Sequence, residues 1–243
     1  MPGHPGNYTF IPLTAGIWRL YAAFTLISLS PDYPALFGMH MPFPLIHYLE
    51  LLGTFTFAVS GATAAVNKAY DLIGLLTLAF VTAIGGGTIR DILIGNTPVA
   101  WMTDDSNILA ILAGATVTAL GYSYVKRLTR WLNVFDAIGL GIFTIIGINK
   151  GLQAGLPVPI CAALGAITGT FGGLLRDVII GESPALFTRE VYAVASITGG
   201  VLFLGLRHST WSPALIESTS ITVIVIVRLL SLRYGWHLPR ITK

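Results

Sequence analysis

The chain has 243 residues, of which 54% are hydrophobic and only 10% charged, and its mean hydropathy is +0.76. Soluble domains carry about 25% charged residues, so there is too little polar surface here for a water-soluble enzyme or a nucleic-acid binder. The net charge of +3 comes from basic residues at the ends of apolar segments, where they orient a membrane protein.

Residues 1–43 are interrupted by Pro2, Pro5, Pro12, Pro31, Pro34 and Pro42, and Arg19 splits their longest apolar run. A signal peptide wants an uninterrupted apolar centre, so a poorly ordered N-terminal extension is expected, or a stretch upstream of a start at Met39 or Met41. An eighth helix is the alternative. From residue 44 onward the fold class is all-α and polytopic. A span needs about 20 mostly apolar residues. Seven candidates follow in order, at 46–66, 71–94, 106–125, 131–152, 157–180, 190–207 and 213–232. Asn67-Lys68, Asn96-Thr97-Pro98, Asp104-Asp105, Lys126-Arg127, Pro157, Ser183-Pro184 and Ser212-Pro213 separate them, as turn-forming residues do. Trp101, Trp131, Trp211 and Trp236 fall at segment ends, where interfacial aromatics belong.

The loops after the first, third and fifth spans, with the C-terminus, hold Lys68, Lys126, Arg127, Arg130, Arg189, Arg233, Arg240 and Lys243. The opposite loops hold Lys150 and Arg207 beside Asp104 and Asp105. The positive-inside rule then puts the C-terminus in the cytoplasm and the start of the first span outside. Localisation in the inner (plasma) membrane, with membrane lipid as the surrounding partner, follows.

A shift of 86 residues lays the first half on the second. Gly85-Gly86-Gly87, Arg90-Asp91, Gly95 and Pro98 fall on Phe171-Gly172-Gly173, Arg176-Asp177, Gly181 and Pro184. Without a gap, Glu50 falls on Asp136, Gly53 on Gly139, Phe57 on Phe143, Gly61 on Gly147 and Thr82 on Thr168. Each copy has three spans, so the second is inverted relative to the first, an arrangement that places a transport pathway at the repeat interface. Consecutive glycines weaken a helix by about 1 kcal/mol each, and the runs Gly85–Gly87 and Gly172–Gly173 are expected as breaks or hinges in the second and fifth spans. Close helix crossing is the other reading of the same glycines. A domain division of 44–125, 126–210 and 211–243 follows: two three-helix repeats, then a seventh helix with a cytoplasmic tail.

Charged residues inside a span are costly and normally face the protein interior. Arg90, Asp91, Arg176 and Asp177 are therefore candidates for a charged pathway or gate. Neighbours on a helix point about 100° apart, so each Arg is expected to pair across helices rather than with the adjacent Asp. Glu50 and Asp136 head glycine stripes, Gly53/Gly61 and Gly139/Gly147, and present a carboxylate to a basic partner such as those arginines, or to an ion. Lys150 is either a helix-end snorkel or a charge that responds to voltage or blocks cations. Thr82, Thr88, Thr168 and Thr170 are candidates for polar pore lining, although hydroxyls in lipid also bond back to their own helix. Cys161 is a small buried hydrophobe, and no metal site or cofactor is expected. No hydrolase, metalloprotease or nucleotide-binding motif is present, so no enzymatic activity is expected.

The strings HYLELLGTFTFAVSGA, AIGGGTIRDILIGNTPVAW, GTFGGLLRDVIIGESPALF and LRYGWHLPR resemble the prokaryotic trimeric intracellular cation channel (TRIC) family, many of whose bacterial members carry a glycine transporter domain label. The resemblance covers residues 45–240, and residues 1–43 have no counterpart in it. It implies seven helices, a homotrimer, and a pore in each subunit for monovalent cations, chiefly potassium, bounded by the first, second, fourth and fifth helices. The family's kinks fall at Gly85–Gly87 and Gly172–Gly173, where Phe171 replaces a third glycine. A secondary transporter of glycine or another small amino acid is the alternative.

Overall fold

The computed structural model describes residues 43–121, 128–188 and 191–236. The readings of residues 1–42, Lys126, Arg127, Arg189 and the C-terminal tail lie outside them. Seven helices of at least 15 residues form among the described residues: α1 (Phe43–Asn67), α2 (Leu72–Leu93), α3 (Asp105–Gly121), α4 (Leu128–Gln153), α5 (Val158–Ile179), α6 (Tyr192–Leu206) and α7 (Pro213–Tyr234). Single helical turns at Ala100–Thr103 and Ala185–Thr188 follow α2 and α5. The five helices α1, α2, α4, α5 and α7 are long and apolar enough to cross a membrane. Among the described residues α3 and α6, with 17 and 15 residues, are shorter than the usual span.

Helix ends follow local chemistry. Asp71 caps α2, its carboxylate accepting from Gly74 N–H at 2.8 Å. Both α2 and α5 end in Schellman turns, in which Gly95 N–H donates to Ile92 O and Asn96 N–H to Asp91 O, matched by Gly181 to Val178 and Glu182 to Asp177. The turns after α1 and α4 match as well: Gly155 has φ +74°, and Ala69, 86 residues earlier, has φ +55°. A Cβ in the left-handed region costs roughly 1–2 kcal/mol. Replacing Ala69 by glycine is therefore expected to raise stability by about 1 kcal/mol, read as a higher unfolding temperature of the detergent-solubilised protein.

A central group of four helices forms where α1 packs on α2 and α4, and α5 packs on α4 and α2. The crossings are reciprocal under the shift of 86. A Cβ on Gly86 would collide with the Thr168 carbonyl, and one on Gly172 with the Thr82 carbonyl. A Cβ on Gly53 would meet the Phe143 ring, and one on Gly139 the Phe57 ring. Lipid offers no hydrophobic drive for helix association, so close backbone approach through small residues does that work. The expected helix breaks are absent: α2 and α5 run unbroken through both glycine runs. Gly86 and Gly172 are spent on crossing, because a packed backbone contact holds the helical conformation that glycine's intrinsic propensity disfavours.

Outside this group the halves differ. α3 packs on α1, whereas α7 lies against α4 and α6 on the second half, with α6 against α5. The buried apolar residues accordingly form two clusters, one around Phe57, Leu78 and Phe143, the other around Leu140, Ile148, Phe203 and Ile224.

Candidate functional site

Two charged groups stand at equivalent places. In the first, Arg90 Nε donates to Asp91 Oδ1 at 2.8 Å and Nη2 lies 3.5 Å from Glu50 Oε1. In the second, Arg176 Nε donates to Asp177 Oδ1 at 2.9 Å and Nη1 to Asp136 Oδ1 at 2.7 Å. Each arginine thus bonds both the carboxylate on the facing helix and its own neighbour, which corrects the expectation that adjacent Arg and Asp are poorly placed to pair. The guanidinium sits at the end of a long flexible stem, and its Nε reaches the carboxylate of the next residue regardless of the Cα projection. The second carboxylate oxygen of each Asp is also used: Asp91 Oδ2 accepts from Ala100 N–H at 3.0 Å and Asp177 Oδ2 from Ala185 N–H at 2.9 Å. The loop after each helix is thereby tied to its triad.

The two triads are not equal. Arg176 Nη1 also donates to Ser60 Oγ at 2.6 Å. Ile146 occupies the place equivalent to Ser60, and Arg90 Nη1 has no hydrogen-bond partner among the described residues. Glu50 is partly exposed, Asp136 is buried. The second triad opens on a cavity of about 420 Å³ whose walls include Asn67, Lys68, Asn133, Glu182 and Arg228. The first borders a space of about 20 Å³ lined by Thr54, Gly87, Thr88, Trp101 and Phe143, room for one water molecule. The Lys68–Glu182 pair at 2.8 Å joins the turn after α1 to the loop after α5, and His47 Nδ1 to Asp104 at 3.3 Å joins the start of α1 to the start of α3. The triads therefore face opposite ends of the bundle.

The remaining candidates separate. Thr88 accepts from Trp101 Nε1 at 3.1 Å and lines the small cavity. Thr82, Thr168 and Thr170 each donate to the carbonyl four residues back, at 2.6–2.7 Å, and line neither cavity. The Thr82 and Thr168 hydroxyls are packed against Gly61 and Gly147. Lys150, half-buried in the last turn of α4, lines neither cavity either. Cys161 is buried with its Sγ on Leu156 O at 3.2 Å.

Sequence reasoning passed over Arg228, which lines the large cavity and lies over the Tyr192 ring at 4.4 Å. It also passed over Glu217, bonded to Asn149 at 3.2 Å, with Asn149 in turn accepting from Arg207 at 3.3 Å. Arg228 and Glu217 are charged residues inside the apolar seventh span, and that alone marks them.

The family profile described as "Glycine transporter" matches residues 47–123 and again 133–208, one copy per repeat. The crystal structure of a trimeric intracellular cation channel orthologue from Rhodobacter sphaeroides superposes with a TM-score of 0.75 at 35% identity, over 79% of this chain and 99% of that one. The chain belongs to the TRIC family. A structure determined to explain conductance through TRIC cation channels gives a TM-score of 0.71 at 32% identity, covering 84% of this chain and 98% of the other. The inner membrane protein YadS of Escherichia coli K12 is 36% identical over 197 residues, 80% of this chain and 94% of its own length. The TRIC matches and the five long apolar helices together make this a membrane protein.

Proposed function

We propose that this TRIC protein is a channel that passively conducts monovalent cations, chiefly potassium, across the inner membrane. The observation that carries the reading is the pair of Arg–carboxylate triads at opposite ends of a single four-helix crossing. In this reading the crossing of α1, α2, α4 and α5 is the pathway and the seven helices are two inverted three-helix repeats plus α7. The reciprocal glycine contacts support that repeat. The end bearing Lys68 and the C-terminus is cytoplasmic. At the outer end Glu50, Asp91, Asp104 and Asp105 stand against Arg90, Lys150 and Arg207, an acidic excess of one charge that mildly favours cations there. Arg90, Asp91, Arg176, Asp177, Glu50 and Asp136 control entry, and α2 and α5 move at Gly85–Gly87 and Gly172–Gly173. The TRIC structure described as trimeric supports a homotrimer with one pathway per subunit. No catalytic role is assigned to any residue.

Transport of glycine or another small amino acid is the second reading, favoured by the family profile's description. A cavity of about 420 Å³ carrying both signs of charge also suits a zwitterion. Proteoliposomes with a potassium gradient separate the two. Fast electrogenic potassium flux indifferent to saturating glycine is expected. Slow, saturable glycine uptake without a potassium leak would overturn the channel reading.

A further inference from the structure

An aromatic pair stands between the two triads. The Phe57 and Phe143 rings stack there, with centroids 5.2 Å apart and planes 21° from parallel. Phe57 is 0% exposed and Phe143 3%. Each ring occupies the room that the facing helix's glycine leaves, Phe57 over Gly139 and Phe143 over Gly53, and Phe57 also reaches Gly172 on α5. Phe143 forms part of the wall of the small cavity. The nearby Thr82 and Thr168 hydroxyls are committed to their own helices. A cation leaving the outer space toward the inner cavity meets an apolar plug whose rings offer no oxygen in place of its hydration shell. Apolar constrictions of this kind block ions by staying dry.

We propose that the Phe57–Phe143 stack is the closed gate of the pathway, regulating the same site on which the channel reading rests. Two rings related by the internal repeat, one from each half, make the gate a joint property of both repeats. Opening separates α1 from α4 at the Gly53/Phe143 and Gly139/Phe57 contacts, and neither ring needs to carry charge.

Replacement of Phe143 by Leu, Val and Ala tests this in proteoliposomes loaded with potassium, with folding of each variant checked by gel filtration and unfolding temperature. Resting potassium flux is expected to rise along the series, reaching roughly tenfold at Ala as the constriction wets. The Leu variant keeps most of the side-chain volume, so at least one member of the series remains folded. A flat or falling series in folded variants of a conducting wild-type protein overturns the gate and leaves the channel standing. Absence of potassium flux from wild type and variants alike overturns both.

Discussion

Gly86→Ala and Gly172→Ala are each expected to destabilise the bundle by about 3 kcal/mol, while Gly87→Ala is neutral or mildly stabilising. The methyl groups at positions 86 and 172 would be driven into the Thr168 and Thr82 carbonyls, which are backbone atoms that move only if the α2–α5 crossing opens. At Gly87 the nearest group is Arg90 Nη2, 3.8 Å from the added Cβ, an ordinary contact, and alanine there gains helix propensity of about 1 kcal/mol. Gly85 is intermediate, because its obstacle is the mobile tip of Leu175. Unfolding temperature and the yield of folded protein of the four variants measure this order. Equal stability of the Gly86 and Gly87 variants would show that the glycine run is not spent on the crossing. Leucine at positions 86 and 172 fails for the same reason, so loss of conductance in such a variant would report a disrupted bundle rather than a stiffened hinge.

Asp136→Asn and Glu50→Gln occupy equivalent places and are expected to differ. Asp136 is buried and bonds Arg176 at 2.7 Å. Removing one partner of a buried ion pair costs about 3–5 kcal/mol, because the other charge is left without compensation. Asp177 still holds Arg176, which puts Asp136→Asn near the lower bound, about 3 kcal/mol. Glu50 is 15% exposed in its side chain and stands 3.5 Å from Arg90, so water takes over much of its role and Glu50→Gln costs about 1 kcal/mol. Denaturation of both variants in the same detergent reads the difference. Equal losses would mean that the two ends of the bundle are energetically symmetric despite their geometry.

The shift of 86 was legible because residue identity is kept where the two halves contact each other. Gly86 and Gly172 each need to be small for the other helix, and Phe57 and Phe143 each fill the other's gap. Helix positions were legible too, since apolar length is set by the membrane. The pairing of Arg90 with Asp91 was not, because a helical projection follows Cα positions and a guanidinium lies several bonds away. Nor was the unbroken course of α2, where tertiary contact overrides glycine's propensity. Ser60 was one hydroxyl among many in the sequence. Its importance comes from Arg176 lying opposite, while the matching position holds Ile146 and leaves Arg90 Nη1 unsatisfied.

The unequal cavities have an electrical consequence. In a membrane under potential, voltage falls mostly across whatever conducts least, and in the channel reading the cavity of about 420 Å³ is a water-filled vestibule that short-circuits its own share of the thickness. The field is therefore compressed into the dry stretch that runs from the aromatic pair to the space of about 20 Å³ beside Arg90. A charge displaced there does electrical work against nearly the full potential, up to about 2.3 kcal/mol per 100 mV for each elementary charge. The same displacement at Arg176 does almost none. In that reading two copies of one motif become a field-bearing element and a field-free one.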